Sequence, residues 1–171
     1  MGTVCFVGAG PGAADLLTLR GAARLAEADV VLFDALTDPA LRQFAPNAKW
    51  VDVGKRGFLH GTAQATIDAL LVRHARSHER VVRHKGGDPS VFGRLEEELQ
   101  ALSRAGIGYE IVPGVTAALA AAAAAARPLT RRGHGRTVAL ATAMTREGEV
   151  NAGHHADTER SEEHTSELQS H

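Results

Sequence analysis

A parallel α/β sheet flanked by helices is the fold class this sequence predicts, and two observations predict it. Short apolar strand patterns alternate with helical patterns along most of the chain, the signature of strand–helix–strand units. Glycine-containing loops follow the first, fourth and fifth of these strands. In an open parallel sheet such loops leave the carboxyl ends of the strands, where ligands bind.

The elements follow in order. Val4–Val7 reads as a buried strand and runs into the loop Gly8-Ala-Gly-Pro-Gly12. A helix comes next, with Asp15 as its expected N-cap and Leu16, Leu19, Ala23 and Ala26 at helical spacing. Asp29–Phe33 is a second apolar strand. Asp38-Pro39 pairs a capping residue with proline at the first helical position, and Trp50–Val53 gives a third strand. Thr62 is expected to open a helix in which Ile67, Leu70 and Leu71 share a face. Arg80–Arg83 is a fourth strand, leading to Lys85-Gly-Gly-Asp-Pro89. Glu96–Ala105 is a polar-faced helix and Tyr109–Val112 a fifth strand. Pro113-Gly114 leads into an alanine-rich helix, read as close-packing. Arg131–Arg136 reads as a basic linker, and Thr137–Ala141 as the first strand of a second α/β domain of which only the start is present.

Composition narrows the class. Of 171 residues 44% are apolar, enough for a core, and the apolar run Val115–Ala126 is too short to span a bilayer. No basic leader precedes the first strand pattern. The lone Cys5 has no internal disulfide partner, which suits a reducing cytoplasm. A net charge of −1 gives no case for nucleic acid. The cations are uneven, however. Arg83, Lys85, Arg94, Arg127, Arg131, Arg132 and Arg136 fall in or near loops; solvated surface explains any one of them, while together they suit a polyanionic small molecule. Residues 160–171 (RSEEHTSELQSH) read like a translated sequencing adapter and are set aside as non-native. Four of the nine histidines lie between His154 and His171, but a metal-binding tail is not expected.

The first loop taken alone is ambiguous. Gly8, Gly10 and Ala13 satisfy the dinucleotide fingerprint, and Asp34 stands after the second strand, where a ribose-binding acid sits. A nicotinamide-dependent oxidoreductase is therefore one reading, and a tight turn without a ligand is another. Pro11 weakens the dinucleotide reading, because it removes an N–H that could face a phosphate. So does the second glycine pair, Gly86-Gly87, at a strand end where dinucleotide folds require none. Asp88 suits a ribose hydroxyl or an ammonium group, though Asp before Pro is more often a turn residue.

The ordered segments VGAGPG, LLTLRGAARLAEADVVLFDAL, VGKR, RVVRHKGGDPSVFGR, EEL, AGI, VPGVTAA and PLTRR resemble the tetrapyrrole methylase family, specifically its uroporphyrinogen-III C-methyltransferases. The likeness covers about residues 3–136. It implies two α/β domains with S-adenosylmethionine between them, usually in a homodimer, and methylation of ring carbons of uroporphyrinogen III to precorrin-2, which feeds siroheme and cobalamin synthesis. No metal, nucleic acid or membrane partner is implied. The expected division is an N-terminal domain over 1–133, a linker with the start of a second domain over 134–157, and a non-native tail over 158–171.

Matched motif by motif, the resemblance implies cofactor contacts at Pro11, Gly86, Gly87, Asp88, Val91, Thr116 and Ala117. It implies a proton acceptor at Asp34 and a proton donor at Lys55. The residue types fit the chemistry. A sulfonium methyl is already electrophilic and chiefly needs alignment with a nucleophilic carbon; a carboxylate then takes the ring proton. Arg56, Arg83, Arg94 and Arg131 are candidates for the substrate's many carboxylates. His84 stands where the family usually has an apolar residue, and is read as tolerated variation. Leu95-Glu96 stands in place of a Gly-Gly pair, which predicts an altered turn. A methylase of a later precorrin is the nearest alternative. The chain as given is expected to be inactive, with half the cofactor cleft missing.

Overall fold

The computed structural model describes residues 2–34, 38–54 and 60–142, with the side chains of 60–63 excluded. The expected donor Lys55, its neighbour Arg56 and the tail lie outside the described residues. Two units are distinguished, 1–138 and 139–171, and every element below belongs to the first.

Five strands form one parallel sheet in the order β3-β2-β4-β1-β5. They are β1 (Thr3–Gly8), β2 (Val30–Phe33), β3 (Lys49–Asp52), β4 (Arg80–Lys85) and β5 (Tyr109–Val112). The helices are α1 (Leu19–Ala26), α2 (His60–Ser77), α3 (Leu95–Arg104) and α4 (Ala117–Ala124). Side chains alternate across a strand, so β1 feeds two cores. Val4 and Phe6 join Val30, Leu32, Val81, Leu71 and Leu102 beneath α2 and α3. Cys5 and Val7 join Val31, Val82, Val112 and Leu25 of α1 on the other face. This explains the near-continuous apolar strands: both faces are covered, as parallel sheets require.

The same period sorts the unusual residues of β4. Arg83 and Lys85 share the α3 face with Val81, while His84 points with Val82 toward Trp50 of β3. The strand was expected to end at Arg83, and the loop placement of Lys85 is therefore corrected. β4 runs on to Lys85, and both cations are buried, at 2% and 4% exposure.

Other differences have local causes. Thr18, not Asp15, caps α1: its Oγ1 accepts the Gly21 N–H at 3.0 Å, while Asp15 sits in a separate 3₁₀ turn. Asp38 caps as expected, accepting the Ala40 N–H at 2.9 Å, but the segment is a 3₁₀ helix, Pro39–Phe44. α2 begins at His60, before Thr62. None of the residues of α4 is buried, against the close packing expected of it. Thr137–Ala141 forms no strand among the described residues. A strand draws its hydrogen bonds from a neighbour, and apolar residues alone do not supply one. In the turn before α3, Phe92 and Arg94 both take left-handed backbone, each at φ 51°, a conformation uncommon outside glycine.

Candidate functional site

The order β4-β1-β5 puts three strand ends side by side, and the three glycine loops meet there. Gly10 and Gly87 exchange hydrogen bonds, Gly87 N to Gly10 O at 2.8 Å and Gly10 N to Gly87 O at 3.2 Å. Gly8 lies against both other turns: a Cβ on it would sit 2.6 Å from the Gly114 Cα and 2.7 Å from the Gly87 carbonyl oxygen. Any side chain at Gly8 or Gly114 would push the backbones apart. Gly87 also needs left-handed backbone, at φ 62°. Thr116 follows closely, its Cα 3.7 Å from where a Gly87 Cβ would stand. Gly86, by contrast, has nothing within 4 Å of its missing Cβ. Main chain is thus bare on the outer side of the rim and locked on the inner side.

Asp88 ties the rim together. Its Oδ2 accepts the Gly114 N–H at 2.9 Å, joining the β5 turn to the β4 turn. Its Oδ1 accepts the Ser90 N–H at 2.8 Å, the turn role common for Asp before Pro.

Beside the rim lies an open cleft of about 320 Å³, lined by Asp34, Gln64, Arg83, Gly86, Val91 and Phe92 among others. Its floor is a chain of charges. Glu98 of α3, 1% exposed, accepts Arg83 Nε at 3.2 Å and Lys85 Nζ at 3.1 Å on both carboxylate oxygens. Arg83 then donates from its other nitrogens to Asp34 Oδ1 at 2.9 Å and to the carbonyls of Leu32 and His84. Burial and the neighbouring guanidinium push the Lys85 ammonium down from its ordinary range, with Glu98 pulling the other way. Two cations and two carboxylates sum to zero, which is how such a cluster is tolerated in a core.

The sequence-derived residues fall into groups. Asp34, Arg83, Gly86, Val91 and Arg94 all line the cleft. Gly87, Asp88 and Thr116 stand at the adjoining rim, with Pro11 next to Gly10 and Ala117 opening α4. Arg83, expected to meet a ligand, is committed to internal partners. Arg94 stays at the surface and holds Glu97 through two bonds of 2.8 and 2.7 Å. Arg131 lies outside the cleft lining, in an exposed turn bridged to Gly135. Glu98 and the exposed Phe92 were not singled out from sequence. Two cations at alternate positions of a buried strand were the available signal, because they demand an internal counter-charge.

In an open parallel sheet ligands bind outside the carboxyl ends of the strands, which is where the three glycine turns and the adjoining cleft lie. The profile of the tetrapyrrole (corrin/porphyrin) methylases matches residues 3–162, and the chain belongs to that family. It is 51% identical over 146 residues to the uroporphyrinogen-III C-methyltransferase of Pseudomonas aeruginosa, covering 85% of this chain and 60% of that one. It is 49% identical over 143 residues to the siroheme synthase of Xylella fastidiosa, covering 83% of this chain and 30% of that protein. Among solved structures, the Thermus thermophilus uroporphyrin-III C-methyltransferase complexed with S-adenosylhomocysteine superposes with a TM-score of 0.66 at 49% identity, over 78% of this chain and 57% of that one. The chain thus spans 60% or less of the length of each of these relatives.

Proposed function

We propose that this chain carries the methyl-donor half of an enzyme that C-methylates uroporphyrinogen III to precorrin-2, using S-adenosylmethionine. The observation that carries the reading is the rim, where Gly8, Gly87 and Gly114 are in contact and Asp34 lies in the cleft alongside. The donor's fit rests on Gly86, whose open outer side lets a nucleoside approach main chain. Identity supports the substrate choice: it is 51% to a uroporphyrinogen-III enzyme and 36% to a cobalt precorrin-4 methyltransferase.

In this reading Pro11, Gly86, Gly87, Asp88, Val91, Thr116 and Ala117 hold the donor, which supplies an electrophilic methyl group when bound. Asp34 accepts the proton that leaves the methylated ring carbon. Its carboxylate is oriented by Arg83 at 2.9 Å, so that no reorientation is needed when the proton arrives. Arg94, Arg131 and Arg56 meet substrate carboxylates, and Lys55 returns a proton. Arg83 acts through Asp34 and does not touch the substrate. Residues 1–133 form the domain that presents the rim. A homodimer, a cytoplasmic location and a product used for siroheme and cobalamin belong to the same proposal. None of the described helices is long and apolar enough to cross a membrane.

Equilibrium dialysis with labelled S-adenosylmethionine and labelled NAD(P), on the chain joined to a second domain that completes the cleft, tests the reading. Saturable binding of the first alone is expected. Nicotinamide binding without S-adenosylmethionine binding would overturn it in favour of an oxidoreductase.

A further inference from the structure

The geometry points to Glu98 as a positioning residue that joins the two halves of the site, the donor loop after β4 and the carboxylate after β2. This inference rests on the methyl-donor reading above.

Three observations carry it. First, Glu98 is at once a buried anion and the common partner of two cations on one strand. Lys85 is the last residue of β4, directly before Gly86 and Gly87, so holding its ammonium fixes where the donor loop leaves the sheet. A Cβ at Gly93 would stand 3.0 Å from Lys85 Cε, so the return turn passes over the same side chain. Second, the guanidinium that Glu98 holds is the one that orients Asp34 on the cleft wall. β2 and β4 are neighbours, paired Leu32 to Arg83 and Phe33 to His84, so Asp34 extends the same row. Third, exposure rises along the chain of contacts, from 1% at Glu98 through 2% at Arg83 to 36% at Asp34. The reacting end is open to the cleft and its support is closed from water. A buried anchor behind an exposed functional group is what preorganisation requires.

The test compares Glu98→Gln with Leu102→Ala in the chain joined to a second domain that completes the cofactor cleft. Leu102 is a fully buried apolar α3 residue of the hydrophobic core, so it reports loss of packing. Two quantities are read: the affinity for S-adenosylhomocysteine by calorimetry, and the Arg83 Nε–H resonance, which a fixed guanidinium protects from exchange. Glu98→Gln is expected to weaken binding roughly tenfold and to erase the protected resonance, while Leu102→Ala keeps both. Where Glu98→Gln alone does not fold, Lys85→Met with Glu98→Gln removes one charge of each sign and restores neutrality; the same weakening is expected. Unchanged affinity in the Glu98 variants, or equal weakening by Leu102→Ala, overturns the inference while leaving the functional reading in place. Absence of binding to the unsubstituted protein overturns both.

Discussion

Replacing His84 with leucine should make the protein more stable, and should do so far more at pH 5 than at pH 7. His84 is fully buried on β4, with its ring edge-on to Trp50 at 6.1 Å. Neither ring nitrogen has a hydrogen-bond partner among the described residues. Burial, and then the adjacent Arg83, push its pKa down from 6.5 to about 4, with Asp34 opposing. The sign follows from linkage. Above pH 6.5 the ring is neutral whether the chain is folded or not, and costs nothing in protonation. As the pH falls from 6.5 toward 4 the unfolded chain takes up a proton that the folded core refuses, so stability is lost. At pH 5 that loss is about 2 kcal/mol, approaching roughly 3 kcal/mol near pH 4. At pH 7 the remaining gain from leucine is about 1–2 kcal/mol, from removing buried polar atoms without partners. Urea denaturation of both proteins at pH 7 and pH 5 measures the double difference, in which other titrating groups largely cancel. An advantage for leucine that is the same at both pH values, within about 0.5 kcal/mol, would refute the reasoning and mean that His84 is protonated or solvated in the folded state.

Four further outcomes are expected. Gly114→Ala should destabilise the fold by about 1–3 kcal/mol in thermal or chemical denaturation, because its new Cβ meets Gly8 and Gly87 backbone. Gly86→Ala should leave stability within about 0.5 kcal/mol, since nothing lies within 4 Å of its Cβ position, yet weaken S-adenosylhomocysteine binding in calorimetry. Asp88→Asn should cost about 1–2 kcal/mol, because one amide oxygen replaces two carboxylate oxygens that each accept a backbone N–H. Cys5 should resist iodoacetamide at pH 8 in the native protein and react on unfolding, as burial first and Glu110 second push its thiol up to about 12.

The rim was legible in the sequence because its cause is local. A glycine directly after an apolar strand marks a turn, and three such turns on a parallel sheet must leave by the same edge. That Gly8, Gly87 and Gly114 touch one another needed one more fact, the adjacency of β4, β1 and β5, which no local pattern states. The charge cluster was hidden for a similar reason. Lys85 read as a loop cation and Arg83 as the last residue of its strand, because β4 was expected to end at Arg83, and Glu98 lies on a helix whose rotation sequence alone does not set. Thr137–Ala141 has strand composition without a strand, and α4 has an apolar composition without a buried face. In both, composition reports what a segment could pack, while packing depends on what stands beside it. Asp15 was expected to cap α1, but the 3₁₀ turn Ala14–Leu16 takes it up, and Thr18 is left as the residue before the helix.

The most direct test of the rim as the donor site is a titration of the isotopically labelled protein with S-adenosylhomocysteine, followed through its backbone amide resonances. Gly10, Gly86, Gly87 and Thr116 should shift together with a single affinity, and Asp34 should follow. Shifts confined to the opposite end of the sheet, in the groove lined by Arg24, Arg80 and Glu110, would contradict the account.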